Sequence, residues 1–483
     1  MQYTLENLVI YPLIPEMFIA LMAMFILLLD VFLTDAKKKL VPALSILTLL
    51  TAMIISFCAV GDAPVSAFFN YVIQDSFAAF SKGLICAAGI FTIVMSQRYM
   101  KGESHLGEYY VLILFSILGM MLMVSANNFL SMYLGMELMA LSVYVLVGYQ
   151  RDMLRSSEAA LKYFVLGSLA SCMLLYGVTF LYGVSGSLHF SDVAKALSHH
   201  EAQTSMAVLT GLVFIMAGFA FKVSMAPFHM WTPDTYEGAP TPITAFMSVA
   251  PKVAGFVLFI RVLHDALAPM LNEYVTILSV LAVLSMIIGN LAAIAQRSIK
   301  RMLAYSTVGH VGFILLGVIS ATEEGYTAVL FYMLIYLFMT MGVFSVLLLM
   351  RRDGLKGELL DDFAGLIHVH KGYAIAMVLL MFSMAGIPFL GGFWAKFYVF
   401  MSAFNAGYTQ LALIGLLFSA IGAFYYIRVI KYVLFDSERE AFNPLSDKPL
   451  QAVLVLCTLF VLVSGFFPDP LIKVCQAALV GFI

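Results

Sequence analysis

Apolar runs about 20 residues long recur from one end of this sequence to the other, and no other feature restricts the fold as strongly. An α-helix of about 20 residues covers the ~30 Å hydrocarbon core of a bilayer, whereas a membrane β-strand needs only about 10 residues of alternating polarity. Fourteen such runs are read, at residues 13–33, 40–60, 76–96, 109–127, 129–149, 158–182, 204–233, 241–264, 274–296, 302–320, 325–350, 373–403, 408–434 and 450–469. With 62% hydrophobic and 11% charged residues over 483 positions, and a mean hydropathy of +0.98, the chain lacks the charge to cover a water-exposed surface of its size. The predicted fold class is an all-α polytopic membrane protein of about 14 transmembrane helices.

Other functions are excluded by what the motifs lack. Cys58, Cys86, Cys172, Cys457 and Cys475 are scattered singly, so neither a disulfide framework nor a metal or iron–sulfur ligand set is read. Neither G-x-G-x-x-G nor G-x-x-x-x-G-K-[ST] occurs, so no direct NADH or nucleotide phosphate binding through those loops is expected. No cofactor is assigned to this chain, and redox chemistry would belong to other subunits. A net charge of −2 without a basic patch gives no nucleic-acid footprint. The first run follows a start containing Glu6 and no basic segment, and is expected to remain as an anchor.

Charge places the ends. Loops after odd-numbered spans, with the end of span 13, hold most of the 26 Lys and Arg residues, among them Lys37, Lys38, Lys39, Arg151, Arg155, Arg297, Lys300, Arg301, Arg351, Arg352, Lys356 and Arg439, whereas the opposite loops hold Lys195 and Lys473. Short cation-rich loops stay on the cytoplasmic side. A multi-pass protein with both termini outside is therefore expected, which in a bacterial inner membrane would place them in the periplasm.

Six cations fall inside the spans: Lys82, Lys162, Lys222, Lys252, Arg261 and Lys396. A lysine at mid-membrane costs roughly 2.5–3.5 kcal/mol, which makes each a candidate for function. Lys222 precedes the helix-breaking Pro227, and Lys252 lies deep in span 8, so neither is placed to snorkel outward. Desolvation disfavours the charged form of a lysine and a nearby carboxylate favours it, so a carboxylate that approaches or withdraws loads or unloads its proton. Glu137, alone in span 5, is the candidate carboxylate; the alternatives are a protonated glutamate bonded to a neighbouring helix and fixed structural ion pairs. Lys396 follows the second break and reads as a carrier or a snorkelling residue. Lys162 reads as a relay or as an anchor paired to Glu158 at i−4, and His310 as a proton carrier or a satisfied core histidine. His229, Asp234 and Glu237 form either a funnel for protons or a capped loop. Glu16 and Asp30 read as interface residues, and Lys82 and Arg261 as anchors near outer helix ends.

An internal echo links the breaks. Met225-Ala226-Pro227-Phe228 in span 7 is matched by Met384-Ala385-Gly386-Ile387-Pro388-Phe389 in span 12, each fourth in a block of five helices, spans 4–8 and 9–13. Five is odd, so the two blocks enter the membrane in opposite senses. Broken helices at corresponding positions of inverted repeats point to an ion site near mid-membrane. The chain is divided accordingly into residues 1–108 (helices 1–3), 109–264 and 265–434 (the repeats) and 435–483 (helix 14 and tail), all within one transmembrane domain.

GFAFKVSMAPFHMWTPDTYEGAPTPITAFMSVAPKVAGF, with GMELMALSVYVLVGY before it and NLAAIAQRSIKRMLAYSTVGHVGF and SMAGIPFLGGFWAKFYVF after it, resembles the antiporter-like membrane-arm subunits of respiratory NADH-quinone oxidoreductase (complex I), over nearly the whole chain. The resemblance implies a proton path through Glu137, Lys222, Lys252 and Lys396, with Lys162 and His310 also at family positions. Lysine at 396 and an end soon after span 14, with no long lateral helix, favour the subunit N branch. The implied function is proton translocation coupled to NADH oxidation and quinone reduction elsewhere, with flavin, iron–sulfur clusters and quinone in partner subunits and the other membrane-arm subunits as neighbours. A cation/proton antiporter or membrane-bound hydrogenase-type complex shares the same spans and lysines, and a scaffold whose charges only join helices is the third reading.

Overall fold

The computed structural model describes residues 9–34, 37–61, 63–101, 106–350, 357–437 and 447–482. Glu6, Arg351, Arg352, Lys356 and Arg439 lie outside the described residues. The helices run α1 Ile14–Phe32, α2 Leu40–Cys58, α3 Ser76–Tyr99, α4 Leu106–Val124, α5 Phe129–Val147, α6 Leu154–Ser185, α7 Phe190–Leu197, α8 His200–Gln203, α9 Met206–Val223, α10 Trp231–Gly238, α11 Thr241–Asp265, α12 Leu271–Ala295, α13 Ile299–Ile319, α14 Glu323–Met350, α15 Leu366–Val369, α16 Lys371–Ala385, α17 Gly391–Asn405, α18 Thr409–Phe435, α19 Lys448–Phe466 and α20 Asp469–Leu479. A short antiparallel hairpin, β1 Val65–Ala67 and β2 Val72–Gln74, lies between α2 and α3.

Among the described residues, 13 helices are long and apolar enough to cross a membrane. The half-helices α16 and α17 supply the remaining predicted crossing, span 12. Span 7 is shorter than read: α9 stops at Val223, and the polar stretch that follows turns before forming α10. A terminal amphipathic helix, α20, was not foreseen and packs on α3 and α14.

The two breaks are built alike. Ser224 (φ 69°) and Gly386 (φ 88°) take the left-handed conformation after α9 and α16. The N–H of the next residue then reaches back to the helix, Met225 to the Ala220 carbonyl at 2.8 Å and Ile387 to the Phe382 carbonyl at 3.0 Å. This is the Schellman stop, and the proline that follows in each case, Pro227 or Pro388, prevents the helix from resuming at once.

The five-helix blocks also pack alike. In each, the first two helices pair, α4 with α5 and α12 with α13, and the last returns to the first, α11 to α4 and α18 to α12. At the centre, every residue of α11 from Thr241 to Leu263 is buried. Peripheral helices expose large apolar side chains such as Leu28, Leu47, Leu169 and Leu416, a surface suited to lipid rather than water.

Lys82, Arg261 and Glu16 correct the sequence reading. The first two are not snorkelling anchors, because the hairpin and the C-terminal residues cover those helix ends. Lys82 is fully buried, 2.6 Å from Glu16 Oε1, and donates to Gln74 of β2 at 2.6 Å. Glu16 is therefore a buried partner, not an interface residue. Arg261 Nη2 donates to both oxygens of Asp75, at 3.0 and 2.9 Å, and Nε donates to the Val124 carbonyl at 3.2 Å. The Phe77 and Phe482 rings lie 5.5 and 5.1 Å from its guanidinium.

Candidate functional site

Glu137 on α5 and Lys222 in the last turn of α9 face one another across α6. Their Oε1 and Nζ atoms are 3.7 Å apart, too long for a good hydrogen bond. Ser171 of α6 fills the gap. Its hydroxyl donates to Glu137 Oε1 and accepts from Lys222 Nζ at 3.1 Å, so the three form one hydrogen-bonded line. The Lys222 side chain is 4% exposed and that of Glu137 23%. Lys222 also sits at the C-terminal end of a half-helix, where unpaired carbonyls carry partial negative charge.

Beyond the break, Trp231 of α10 donates its indole N–H to the Phe221 carbonyl at 3.1 Å and lies 5.2 Å beneath the Lys252 ammonium. It thus spans from the end of α9 to the next lysine. Lys252 donates to the Tyr236 hydroxyl at 2.7 Å and to the Met247 carbonyl at 3.1 Å. That carbonyl is available because Pro251, four residues on, has no N–H to give it. Tyr236 also donates to it, at 3.3 Å. Among the described residues no carboxylate lies within ion-pair distance of Lys252 or Lys396.

Lys396 of α17 reaches back across the second break. Its ammonium donates to the Ala385 carbonyl at the end of α16 at 3.0 Å and to Ser419 of α18 at 3.0 Å. The Lys396 ammonium thus meets the negative end of its first half-helix directly, whereas Lys222 sits in the last turn of α9 with its ammonium held by Ser171 and beside Glu137. Between Lys252 and Lys396 stands a cluster around His310. The His310 ring meets the Tyr332 hydroxyl through Nδ1 at 2.6 Å and the Tyr426 hydroxyl through Nε2 at 2.8 Å. Tyr426 also bonds Ser306, and Tyr336 bonds Thr307 at 2.9 Å. Thr307 and Tyr336 neighbour Tyr236 in turn. Phe313 separates His310 from Lys396, 6.2 Å from the imidazole and 5.2 Å under the ammonium.

Lys162 stands apart from this line. Its side chain is 43% exposed and contacts Glu158 and Asp234, each at 2.8 Å. Asp234 and Glu237 are also gripped by Arg301, at 2.7 and 3.0 Å. Half-buried His229 lies nearby in the loop of the first break, its ring 6.2 Å from that of Tyr305.

The sequence reading did not single out Ser171, Trp231, Tyr236, Ser419 or the tyrosines around His310. For Lys252 a signal was present, since a proline inside a helix frees the carbonyl four residues before it. Serine and tyrosine in apolar helices carry no comparable signal.

Residues 126–422 match the family described as NADH:quinone oxidoreductase/Mrp antiporter, TM. The chain is 43% identical to NADH-quinone oxidoreductase subunit N of Paramagnetospirillum magneticum, with 98% of each chain covered. It is similar to a chain of respiratory complex I from Thermus thermophilus, at 29% identity and TM-score 0.81, covering 96% of this chain and 99% of that one. It shares its fold with a chain of the Mrp complex from Dietzia sp., at 19% identity and TM-score 0.85, covering 98% and 97%.

Proposed function

The chain belongs to the NADH:quinone oxidoreductase/Mrp antiporter transmembrane family, and from that premise we propose that it is the subunit N-type proton-translocating subunit of a bacterial NADH-quinone oxidoreductase membrane arm. Identity of 43% over nearly the full length to a subunit N, against 19% to an Mrp antiporter chain, supports this reading over an antiporter or hydrogenase-type complex. In it the chain carries no cofactor and performs no redox step. NADH oxidation and quinone reduction occur in partner subunits that hold flavin, iron–sulfur clusters and quinone, and the cation-rich loops face the cytoplasm.

The observation that carries the mechanism is the line Glu137–Ser171–Lys222 beside the first break, continued by Lys252, the His310 cluster and Lys396. At 3.7 Å two unit charges interact by about 4–5 kcal/mol at an effective dielectric of about 20. Withdrawing Glu137 to roughly twice that distance halves the term. The change, about 2 kcal/mol, is comparable with the ~2.3 kcal/mol needed to move one charge against 100 mV. Rearrangement driven by quinone reduction would open the Glu137–Lys222 pair, and the proton held at Lys222 would pass to Lys252 and on to Lys396. Ser171 conveys the pairing, Tyr236 and the Met247 carbonyl orient the Lys252 amine, and the Ala385 carbonyl with Ser419 holds that of Lys396. Lys162 is assigned to the rim of this path, fixing the position of Asp234.

The test is proton pumping against quinone reductase activity in reconstituted complexes carrying Lys222→Ala or Glu137→Gln. Loss of pumping in complexes that assemble normally is expected. Full pumping in both variants would overturn the assignment, whereas normal assembly with lost pumping excludes the scaffold reading.

A further inference from the structure

Pro227 and Pro388 follow their helix stops at different intervals, and the difference leaves one backbone group to be satisfied. At the second break Pro388 comes directly after Ile387, whose N–H returns to α16, and a proline has no N–H to place. At the first break Met225 returns its N–H to α9, and a further residue, Ala226, stands before Pro227. A backbone N–H without a partner in apolar surroundings is costly. That of Ala226 donates to Ser285 Oγ at 2.8 Å. Ser285 belongs to α12, the first helix of the second five-helix block, so the first break is held from the other block. The second break uses a serine of its own broken helix: the Gly392 N–H donates to Ser383 of α16 at 3.0 Å.

Ser285 is fully buried, and its hydroxyl hydrogen is committed to the Leu281 carbonyl at 2.7 Å, which leaves its lone pairs for Ala226. A serine bonded to the carbonyl one turn back is ordinary in a membrane helix; one that also accepts a backbone N–H from a broken helix of the other repeat is not. Five residues on, Asn290 is buried as well. Its Nδ2 donates to the Met286 carbonyl at 2.7 Å, and its Oδ1 accepts from the Tyr425 hydroxyl at 3.3 Å. Five residues of α-helix advance about 7.5 Å and turn about 140°, so the two side chains leave α12 towards different neighbours. The Tyr425 ring lies 4.2 Å from that of Tyr426, which bonds His310. α12 is also pressed against α13, the helix of His310: a Cβ on Gly289 would collide with the Gly309 backbone nitrogen, an approach that only small residues allow.

We propose that Ser285 is a positioning residue for Lys222, and that α12 is the rigid link through which the second block sets the first break. Ala226 lies one turn beyond Lys222, so fixing its amide fixes where α9 ends and where the Lys222 ammonium stands relative to Ser171 and Glu137. A shift of α13 or α18 at the His310 cluster carries α12 with it, and Ser285 delivers that shift to the break. The contact between Glu137 and Lys222 is thereby tied to the later half of the line, and the coupling acts equally in both directions.

This inference rests on the translocation reading, and the experiment separates the two. Complexes carrying S285A, S285T, N290A or the S285A/N290A pair, with K222A in parallel, are reconstituted and scored for protons moved per quinone reduced, a ratio that a smaller yield of assembled complex does not move. Expected are a several-fold fall in S285A, a near-normal ratio in S285T, which keeps the hydroxyl, and a smaller fall in N290A. The pair should fall no further than S285A, since both changes act at one contact. A wild-type ratio in S285A beside loss in K222A overturns the positioning role and leaves the function standing. A wild-type ratio in K222A as well overturns the function. A fall in the pair equal to the product of the single falls marks two independent sites and overturns the link through α12. Should S285A not assemble, a wild-type ratio in N290A overturns the proposal and a lowered one supports it.

Discussion

Replacing Ser171 by alanine removes one oxygen and tests whether Glu137 and Lys222 act as a pair or merely as neighbours. In the structure that oxygen accepts from the ammonium at 3.1 Å and donates to the carboxylate, while the charges themselves remain 3.7 Å apart. A hydrogen bond to a charged group contributes roughly 1.5–3 kcal/mol. With the direct Coulomb attraction left in place, the loss is set at about 2 kcal/mol. At 1.36 kcal/mol per tenfold in rate, this slows a proton-transfer step limited by the pair about 30-fold. Ser171 lies on α6 with small neighbours Gly167 and Ala170, so the fold has no reason to change. The assay is dye-monitored pumping in proteoliposomes against NADH-driven quinone reduction in the same preparation, with assembly checked by native gel. Ser171→Thr, which keeps the hydroxyl, should stay within a few-fold of wild type. Undiminished pumping in Ser171→Ala, where Glu137→Gln abolishes it, would show that the carboxylate acts on Lys222 without the bridge.

Three further outcomes follow from the geometry. Pro251→Ala gives α11 an N–H that takes the Met247 carbonyl from Lys252, so thermal stability should rise or hold while pumping falls several-fold; unchanged pumping would show that this acceptor is idle. Gly386→Ala puts a Cβ at φ +88°, 3.0 Å from Lys396 Cδ, and should lower stability by about 1–2 kcal/mol from the left-handed conformation, read as an earlier melting transition, together with weaker pumping. Arg261→Leu strands Asp75 and should destabilise by about 3–5 kcal/mol, whereas the Asp75→Leu/Arg261→Leu pair should recover much of that loss; equal losses in both would point to packing rather than charge.

The helical crossings were legible because hydrocarbon thickness fixes their length, and both breaks were legible because Pro227, Pro388 and Gly386 are poor helix formers with a fixed backbone effect. Charges in apolar runs marked Glu137, Lys222, Lys252 and Lys396 for the same reason: nothing apolar explains them. Lys82 and Arg261 were misread because depth in a helix does not say what covers its end. The cover here is a hairpin and a C-terminal phenylalanine far away in sequence. By sequence position Lys300 is a loop cation, whereas in the structure its ammonium donates to the Glu237 and Ala239 carbonyls at the end of α10. Ser171 and Tyr236 gave no signal, since their roles arise only from which helix lies across from them.

The matched ends of α9 and α16 set two kinds of counter-charge against the lysines. A carboxylate can be neutralised by a proton or carried away by a helix movement; a row of backbone carbonyls can be neither. Lys396 faces only the second kind, so its surroundings stay constant through a working cycle unless α16 itself shifts. Lys222 faces the first kind, the Glu137 carboxylate 3.7 Å away. On the proposed path, the first break would be the adjustable contact of the pair, where a movement of α5 would be read, and the second a fixed reference against which the transferred proton would be received.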